Sequence, residues 1–393
     1  MTFLKRTAFG ILLAVAGVSG ASAQAVVKIG QIEGLTGVNA YWGFMPSQGA
    51  RMAVSEINDA GGFQVGGKTY KLELIQMDTR GEPREATVQF KKLLEDNVQF
   101  VFGPFLSNVF NAIEPIATQN SGKFLMLAGT TAAHARLAQP NSDFLIRTYN
   151  WDAGPGGFGT LMVKHLKALG AKKVAILYPN DALGKTILDL YGKLFKEQGI
   201  ESVAETFEPG TKDFSAPLAK LASYKPDFLM PGYSDAVLYD IVRQATESGL
   251  ATKLFIVRGS IGPALKNKDM IDDYIAYVPK YFEGAEKTDP AVKKFVEDYK
   301  RFYKTEFPYD QAPLCASSCY DHVYMLVQAM KTAGTVSDVA KIRAALVAQT
   351  YRGLWNYKFD DTGEAVFSFN IVHVKKGGDI ALTTVDPTAT TAK

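Results

Sequence analysis

The chain has 393 residues, is 47% hydrophobic and carries a formal charge of +3. So near a balance gives no electrostatic case for nucleic acid or an anionic membrane surface. The length exceeds one comfortable core and predicts two domains.

The elements begin with an export signal. Lys5 and Arg6 make a basic start, Ala8 to Val18 an apolar run, and Ala21-Ser22-Ala23 an A-x-A cleavage site. The run has 11 residues, too short for a membrane span. No Cys follows it, which argues against a lipoprotein, and no later stretch reaches the roughly 18 apolar residues of a span. Residues 1–23 are therefore read as a cleaved signal peptide.

Val27 to Gln31 reads as a buried strand, followed by a Gly-rich loop carrying Tyr41 and Trp42. Ser47 to Asn58 is a predicted helix, with Ala50, Ala53, Val54 and Ile57 on one face. Strands follow at Leu72–Met77, Val98–Phe102 and Phe124–Ala128, separated by helices striped with Phe90 and Leu93, and with Val109, Ile113 and Ile116. The alternation predicts a parallel sheet with right-handed crossovers. Ligands bind such sheets at the carboxyl ends of their strands.

The pattern then restarts. Helices are expected at Phe158–Leu169, Lys185–Gln198, from an N-cap at Asp213, and at Ala236–Ser248. Strands are expected at Val174–Tyr178, Val203–Phe207, Phe228–Met230 and Leu254–Val257. Helices at Val292–Lys304, Leu314–Ala333 and Ser337–Gln349 come next. Then a hairpin is predicted, from Trp355–Phe359 through Asp360-Asp361-Thr362-Gly363 to Ala365–Val374. The last section is too short for a domain and is expected to complete the two halves. The fold class is α/β: two doubly wound Rossmann-like lobes joined by several crossovers. The lobes are assigned as 24–147 plus 283–352 and 148–282 plus 353–386, with 387–393 a disordered tail.

Catalytic constellations are not found. His134, His165, His322 and His373 are scattered without metal-ligand spacing, and there is neither a G-x-S-x-G elbow nor a P-loop. No catalytic residue, metal or cofactor is therefore expected. Gly154-Pro155-Gly156-Gly157-Phe158-Gly159 reads as an interlobe crossover and helix start, with phosphate binding as the alternative. Cys315 and Cys319 are the only cysteines. They sit four apart in a helical pattern, which suits packed thiols better than a disulfide, and a redox-active pair is the alternative.

Ser107 and Thr131 follow strand ends, each before a predicted helix. A hydroxyl beside helix N–H groups suits a carboxylate, and an ordinary N-cap is the competing role. Tyr41 and Trp42, placed in a loop, are candidates to cover a ligand. Tyr149, Trp151 and Tyr233 lie near strand ends or the crossover and are weighed as contact or packing.

IGxxxxLTGxxAxxG at Ile29–Gly43, with Glu56-Ile57-Asn58-Asp59-Ala60-Gly61-Gly62, resembles the leucine/isoleucine/valine-binding protein family. So do Gly103-Pro104 with Ser107, Gly129-Thr130-Thr131, Asp213-Phe214-Ser215, Lys225-Pro226-Asp227, and Arg243-Gln244-Ala245 with Gly249-Leu250. The resemblance covers essentially the whole mature chain. It implies the type I periplasmic binding protein fold, a small carboxylate ligand (an amino acid, or an aromatic or aliphatic acid), and delivery to an inner-membrane ABC permease. It implies that Ser107, Gly129 and Thr131, with Thr130 between them, hold the carboxylate, and that Trp42 packs on the ligand. Two positions depart from the family. Its acid for an α-ammonium falls at about Gly259, beside Arg258 and Ser260, and its Tyr before a Gly is Leu183 before Gly184. Asp235 or Asp181 are the nearby acids able to stand in; without one, the ligand lacks an amine. Leu106 occupies a position of the family's disulfide. The protein is expected to be periplasmic and monomeric, with no nucleic-acid partner. A periplasmic ligand sensor on the same fold is the alternative function, and an exported hydrolase a third.

Overall fold

A computed structural model describes residues 25–37, 40–130, 133–137, 139–149, 157–232, 235–250, 253–256, 261–282, 284–304, 314–366 and 368–385. The signal peptide and the tail, both expected from sequence, lie outside these residues.

The first lobe is built on β1 (Ala25–Glu33), β2 (Phe63–Val65), β3 (Lys68–Asp78), β4 (Phe100–Phe102), β5 (Leu125–Ala128) and β6 (Leu145–Arg147). Their order across the sheet is β2-β3-β1-β4-β5-β6, all parallel except β2. The connections use α1 (Tyr41–Asp59), α2 (Pro83–Glu95), α3 (Ser107–Gln119) and the one-turn α4 (His134–Leu137). From β1 the chain moves outward to β3, then returns to the other side of β1 as β4. The strand order reverses there, so the crevice between the ends of β1 and β4 is the topological switch point.

Alternation along the strands sorts the core. Ile32, Val101 and Met126 face α2 and α3 with Phe90, Leu93, Phe110 and Ile113. Ile29, Phe100, Phe102 and Leu127 face the other way, in the core that includes Ala50, Ala53 and Ile57 of α1. That face is closed by α11 (Leu314–Ala333), which packs along α1 and against α12 (Val339–Ala348). Gly49 of α1 meets the Ala316 backbone so closely that a Cβ there would stand 1.8 Å from the Ala316 carbonyl oxygen.

The second lobe's sheet runs β13-β12-β11-β10-β9-β7-β8. Its strands are β7 (Lys173–Pro179), β8 (Glu201–Phe207), β9 (Phe228–Pro231), β10 (Lys253–Ile256), β11 (Asp273–Val278), β12 (Phe369–Lys375) and β13 (Ile380–Val385). Its helices are α5 (Phe158–Ala168), α6 (Ala182–Glu197), α7 (Ser215–Ala222), α8 (Asp235–Glu247) and α9 (Gly262–Lys266). After β11 the chain returns through α10 (Pro290–Tyr303) to α11 and α12, then goes back as β12 and β13. It thus passes between the lobes three times.

Four local expectations are corrected. Tyr41 and Trp42 stand in the first turn of α1, not in a loop: the helix runs through Pro46, whose missing N–H removes only the bond to the Trp42 carbonyl. Asp213 is not the N-cap of α7. Its carboxylate accepts from Ser215 N at 2.9 Å, while Phe214 holds the cap position. The cap of α12 is Asp338, accepting from Lys341 N, so Ser337 lies before the helix. The predicted C-terminal hairpin forms its turn, with Phe359 bridged to Ala365, but the second run divides. Glu364 bridges Arg147 of the first lobe, whereas β12 joins the second sheet between β11 and β13.

Candidate ligand-binding site

The register brings the ends of the first sheet level: Glu33 lies opposite Asp78, Gln31 opposite Phe102, and Ala128 opposite Arg147. Ser107 is the first residue of α3, with Leu106 at the cap position and no side-chain cap. Its hydroxyl is therefore not needed as a cap. It lies 2.9 Å from the Thr130 hydroxyl, and both residues are buried. Only one of two such hydroxyls donates within the pair, so the pair retains an O–H for an acceptor. The first N–H groups of α3 have no acceptor within their own helix, and the helix dipole favours negative charge there.

Beside this pair lies an aromatic shelf. Trp42, half-buried, stacks on Phe105 with centroids 6.1 Å apart and planes 11° apart. Tyr149 meets Phe105 edge-on at 5.5 Å, and Trp355 in turn at 5.0 Å. Phe105 lies directly over the strand end at Gly129, where an added Cβ would stand 2.7 Å from its ring. Gly129 is thus required by this close approach.

Two residues of this site escaped the sequence reading. Phe105 carries no periodic signal; its only cue is its place just after the Gly103-Pro104 break. Glu33 ends β1 and is fully buried, with Oε2 accepting from Phe105 N at 3.0 Å and Oε1 lacking a hydrogen-bond partner. Burial pushes its carboxyl well above the usual range, against the opposing pull of the Phe105 N–H. Glu33 is therefore a buried prop under Phe105, accepting its backbone N–H.

The other candidates divide. Ser107, Gly129, Thr130, Trp42 and Tyr149 converge on these strand ends. Tyr149 is almost wholly buried among Phe105, Trp355 and Cys315, which is a packing position. Thr131, Trp151, Tyr233 and Gly259 lie outside the described residues, as do the side chains of Tyr41 and Asp235. Asp181 caps α6 by accepting from Gly184 N at 2.8 Å. Cys315 and Cys319 are buried and not joined in a disulfide, and burial pushes the Cys319 thiol up, which makes it an inert packing group. Among the described residues no group of three or more His, Cys, Asp or Glu is placed to hold a metal. No helix among them is long and apolar enough to cross a membrane.

Residues 26–379 match the family model for periplasmic binding proteins. The chain belongs to that family. It is 26% identical over 358 residues to the leucine-, isoleucine-, valine-, threonine- and alanine-binding protein of Pseudomonas aeruginosa, covering 90% of this chain and 91% of that one. A crystal structure of a leucine-binding protein from Thermotoga maritima superposes with a TM-score of 0.73 at 24% identity, over 92% of this chain and 99% of that chain. A Rhodopseudomonas palustris ABC-transporter solute-binding protein, solved with benzoate, superposes with a TM-score of 0.74 at 19% identity, over 92% and 98%. The fold is the type I, two-lobed one, and the branched-chain amino-acid-binding resemblance read from the sequence stands. This is a family of exported binding proteins, and the chain is a solute-binding protein of that kind.

Proposed function

We propose that this periplasmic binding protein captures a small aromatic carboxylate between its lobes and hands it to an inner-membrane ABC permease. The observation that carries this reading is the buried Ser107–Thr130 hydroxyl pair at the start of α3, set against the Trp42–Phe105 shelf. The pair and the helix start suit a carboxylate; the flat rings suit an aromatic face. An amino acid would also need a carboxylate for its ammonium, since an unpaired ammonium in a closed cleft is costly. Three acids among the described residues already have partners: Asp181 caps α6, Glu33 accepts from Phe105 N, and Asp78 accepts from Leu35 N and the Thr36 hydroxyl. The relative solved with benzoate supports the choice of cargo, and the leucine-binding relatives supply the competing one.

Under this reading the lobes are 24–147 plus 283–352 and 148–282 plus 353–386, except that the return segment through Ala365 is held on the first lobe by Asp321 and Arg147. The leader 1–23 is cleaved and the mature protein acts as a monomer without turning its ligand over. Tyr41, Thr131, Trp151, Tyr233 and Asp235 complete the cleft, and closure is a hinge rotation that the ligand favours. The test is a thermal-shift screen followed by calorimetry of mature protein with benzoate, 4-hydroxybenzoate and leucine. Binding to the native state raises the melting temperature by mass action. A shift with the aromatic acids alone is expected. A shift with leucine alone overturns the aromatic assignment and makes Asp235 the ammonium partner to mutate next.

A further inference from the structure

Arg147, the last residue of β6, is completely buried. A buried guanidinium is costly unless its donors find acceptors, and here Nε and Nη1 find them on three separate segments. Its Nε donates to the Thr130 carbonyl at 2.9 Å, on the loop after β5. Its Nη1 donates to the Tyr149 carbonyl at 2.7 Å, on the segment after β6 that leaves the first lobe, and also pairs with the Glu364 carboxylate. Glu364 is itself buried and lies on the segment that returns to the second lobe as β12. The backbone doubles the link: Arg147 N donates to the Gly363 carbonyl and Ala365 N to the Arg147 carbonyl, both at 2.9 Å.

Thr130 therefore has two faces. Its hydroxyl meets Ser107, where the carboxylate is proposed to sit, and its carbonyl meets Arg147. We propose that Arg147 is a positioning residue that couples the ligand loop to two of the three interlobe crossovers, through Thr130 on one side and Tyr149 and Glu364 on the other. The planar fork is needed for this. One guanidinium reaches three acceptors in fixed directions, whereas a lysine ammonium on a flexible stem does not hold the same geometry. The link to the carboxylate rests on the ligand reading above. The link between loop and crossovers does not.

The test uses the mature protein with one spin label on each lobe, at Lys91→Cys in α2 and Lys193→Cys in α6. Both positions are exposed, and the two native thiols are buried and unlabelled. Interlobe distance distributions are measured without ligand and with benzoate, in wild type, Arg147→Lys and Glu364→Gln. The second variant keeps an acceptor of the same shape, so folding is preserved if the first fails. The expected result is a broadened or shifted ligand-free distribution in both variants, and benzoate affinity at least tenfold weaker at temperatures well below melting. Distributions identical to wild type would overturn the proposal, even if the variants melt earlier, because a purely structural role lowers stability without changing closure. If benzoate fails to bind the wild type, the cargo reading falls, while the ligand-free distributions still decide the coupling.

Discussion

Ser107 and Thr130 are small polar residues in an apolar setting, and burial makes their hydrogen bond count. Removing both hydroxyls leaves the apolar shelf intact but takes away the donors a carboxylate would meet. Ser107→Ala with Thr130→Ala is expected to weaken binding of the carboxylate by about 2–4 kcal/mol, the scale of two charge-assisted hydrogen bonds. The same change should move ligand-free stability far less, because the two hydroxyls lose their partner together. Calorimetric affinity and urea unfolding separate the two effects; equal affinity in the double variant removes the anchor. Trp42, Ser107 and Gly129-Thr130 were legible in the sequence because family motifs and strand-end positions mark them. Phe105 and Glu33 were not. Their roles come from contacts between residues 72 apart in the chain, and no local pattern announces a buried acid propping a backbone N–H. Arg147 is hidden for the same reason, since its partner Glu364 lies 217 residues away.

At the scale of elements, the long periodic helices and buried strands were legible, and Leu314–Ala333 stands with the bounds the sequence suggested. The start of α1 was not, since a proline inside a helix reads as a breaker, yet α1 runs through Pro46 and packs along α11. That packing yields a prediction. Gly49→Ala sets a methyl 1.8 Å from the Ala316 carbonyl oxygen, and both groups are on helix backbones that cannot swing aside. Overpacking of this kind costs about 1–3 kcal/mol, so a drop of several degrees in melting temperature is expected in calorimetry. The return segment 351–357 also leans on α11. Asp321 accepts from Trp355 N at 2.8 Å and from the Tyr351 hydroxyl at 3.4 Å, and Trp355 Nε1 donates to Ser317 at 2.8 Å. Burial raises the Asp321 carboxyl to about 7, against the pull of the Leu354 and Trp355 N–H groups. Between about pH 4 and pH 7 the folded chain then binds a proton the unfolded chain has lost. The stabilisation is complete below the unfolded pKa and is lost as pH rises through the folded one. Asp321→Asn removes this titration. Relative to the variant, wild type should lose up to about 4 kcal/mol on going from pH 4 to above pH 7, measured by urea unfolding across that range. A difference that does not change with pH would rule the titration out.

The whole molecule is held together by chain segments that leave one lobe and come back. This is why its two-lobed class was legible in the repeated strand–helix alternation while the fate of the last residues was not. The Ala365–Val374 run looks like one strand of a hairpin, yet Glu364 and Ala365 bind the first lobe and β12 the second, a division set by partners distant in sequence. The same arrangement governs folding. The face of α1 that carries Ala50, Ala53 and Ile57 is covered by α11, from beyond residue 313. The Tyr320 and Tyr324 hydroxyls donate to Glu56 at 2.6 and 2.9 Å, and the Tyr303 hydroxyl of α10 donates to the Gln48 carbonyl at 2.7 Å. A fragment ending at residue 147 has every strand of the first sheet but lacks this cover, along with Glu364 for the buried Arg147. Buried apolar surface contributes about 25 cal/mol per Å², and a bare charge in the core opposes folding further, so the fragment is expected not to fold alone. Residues 24–147 should show weak, non-cooperative unfolding by circular dichroism, whereas full-length mature protein should unfold in one transition. Co-expressing residues 283–393 should restore a folded first lobe. A cooperatively folding 24–147 fragment would mean that α11 only decorates a lobe already stable, and that the crossovers tie together two independent domains.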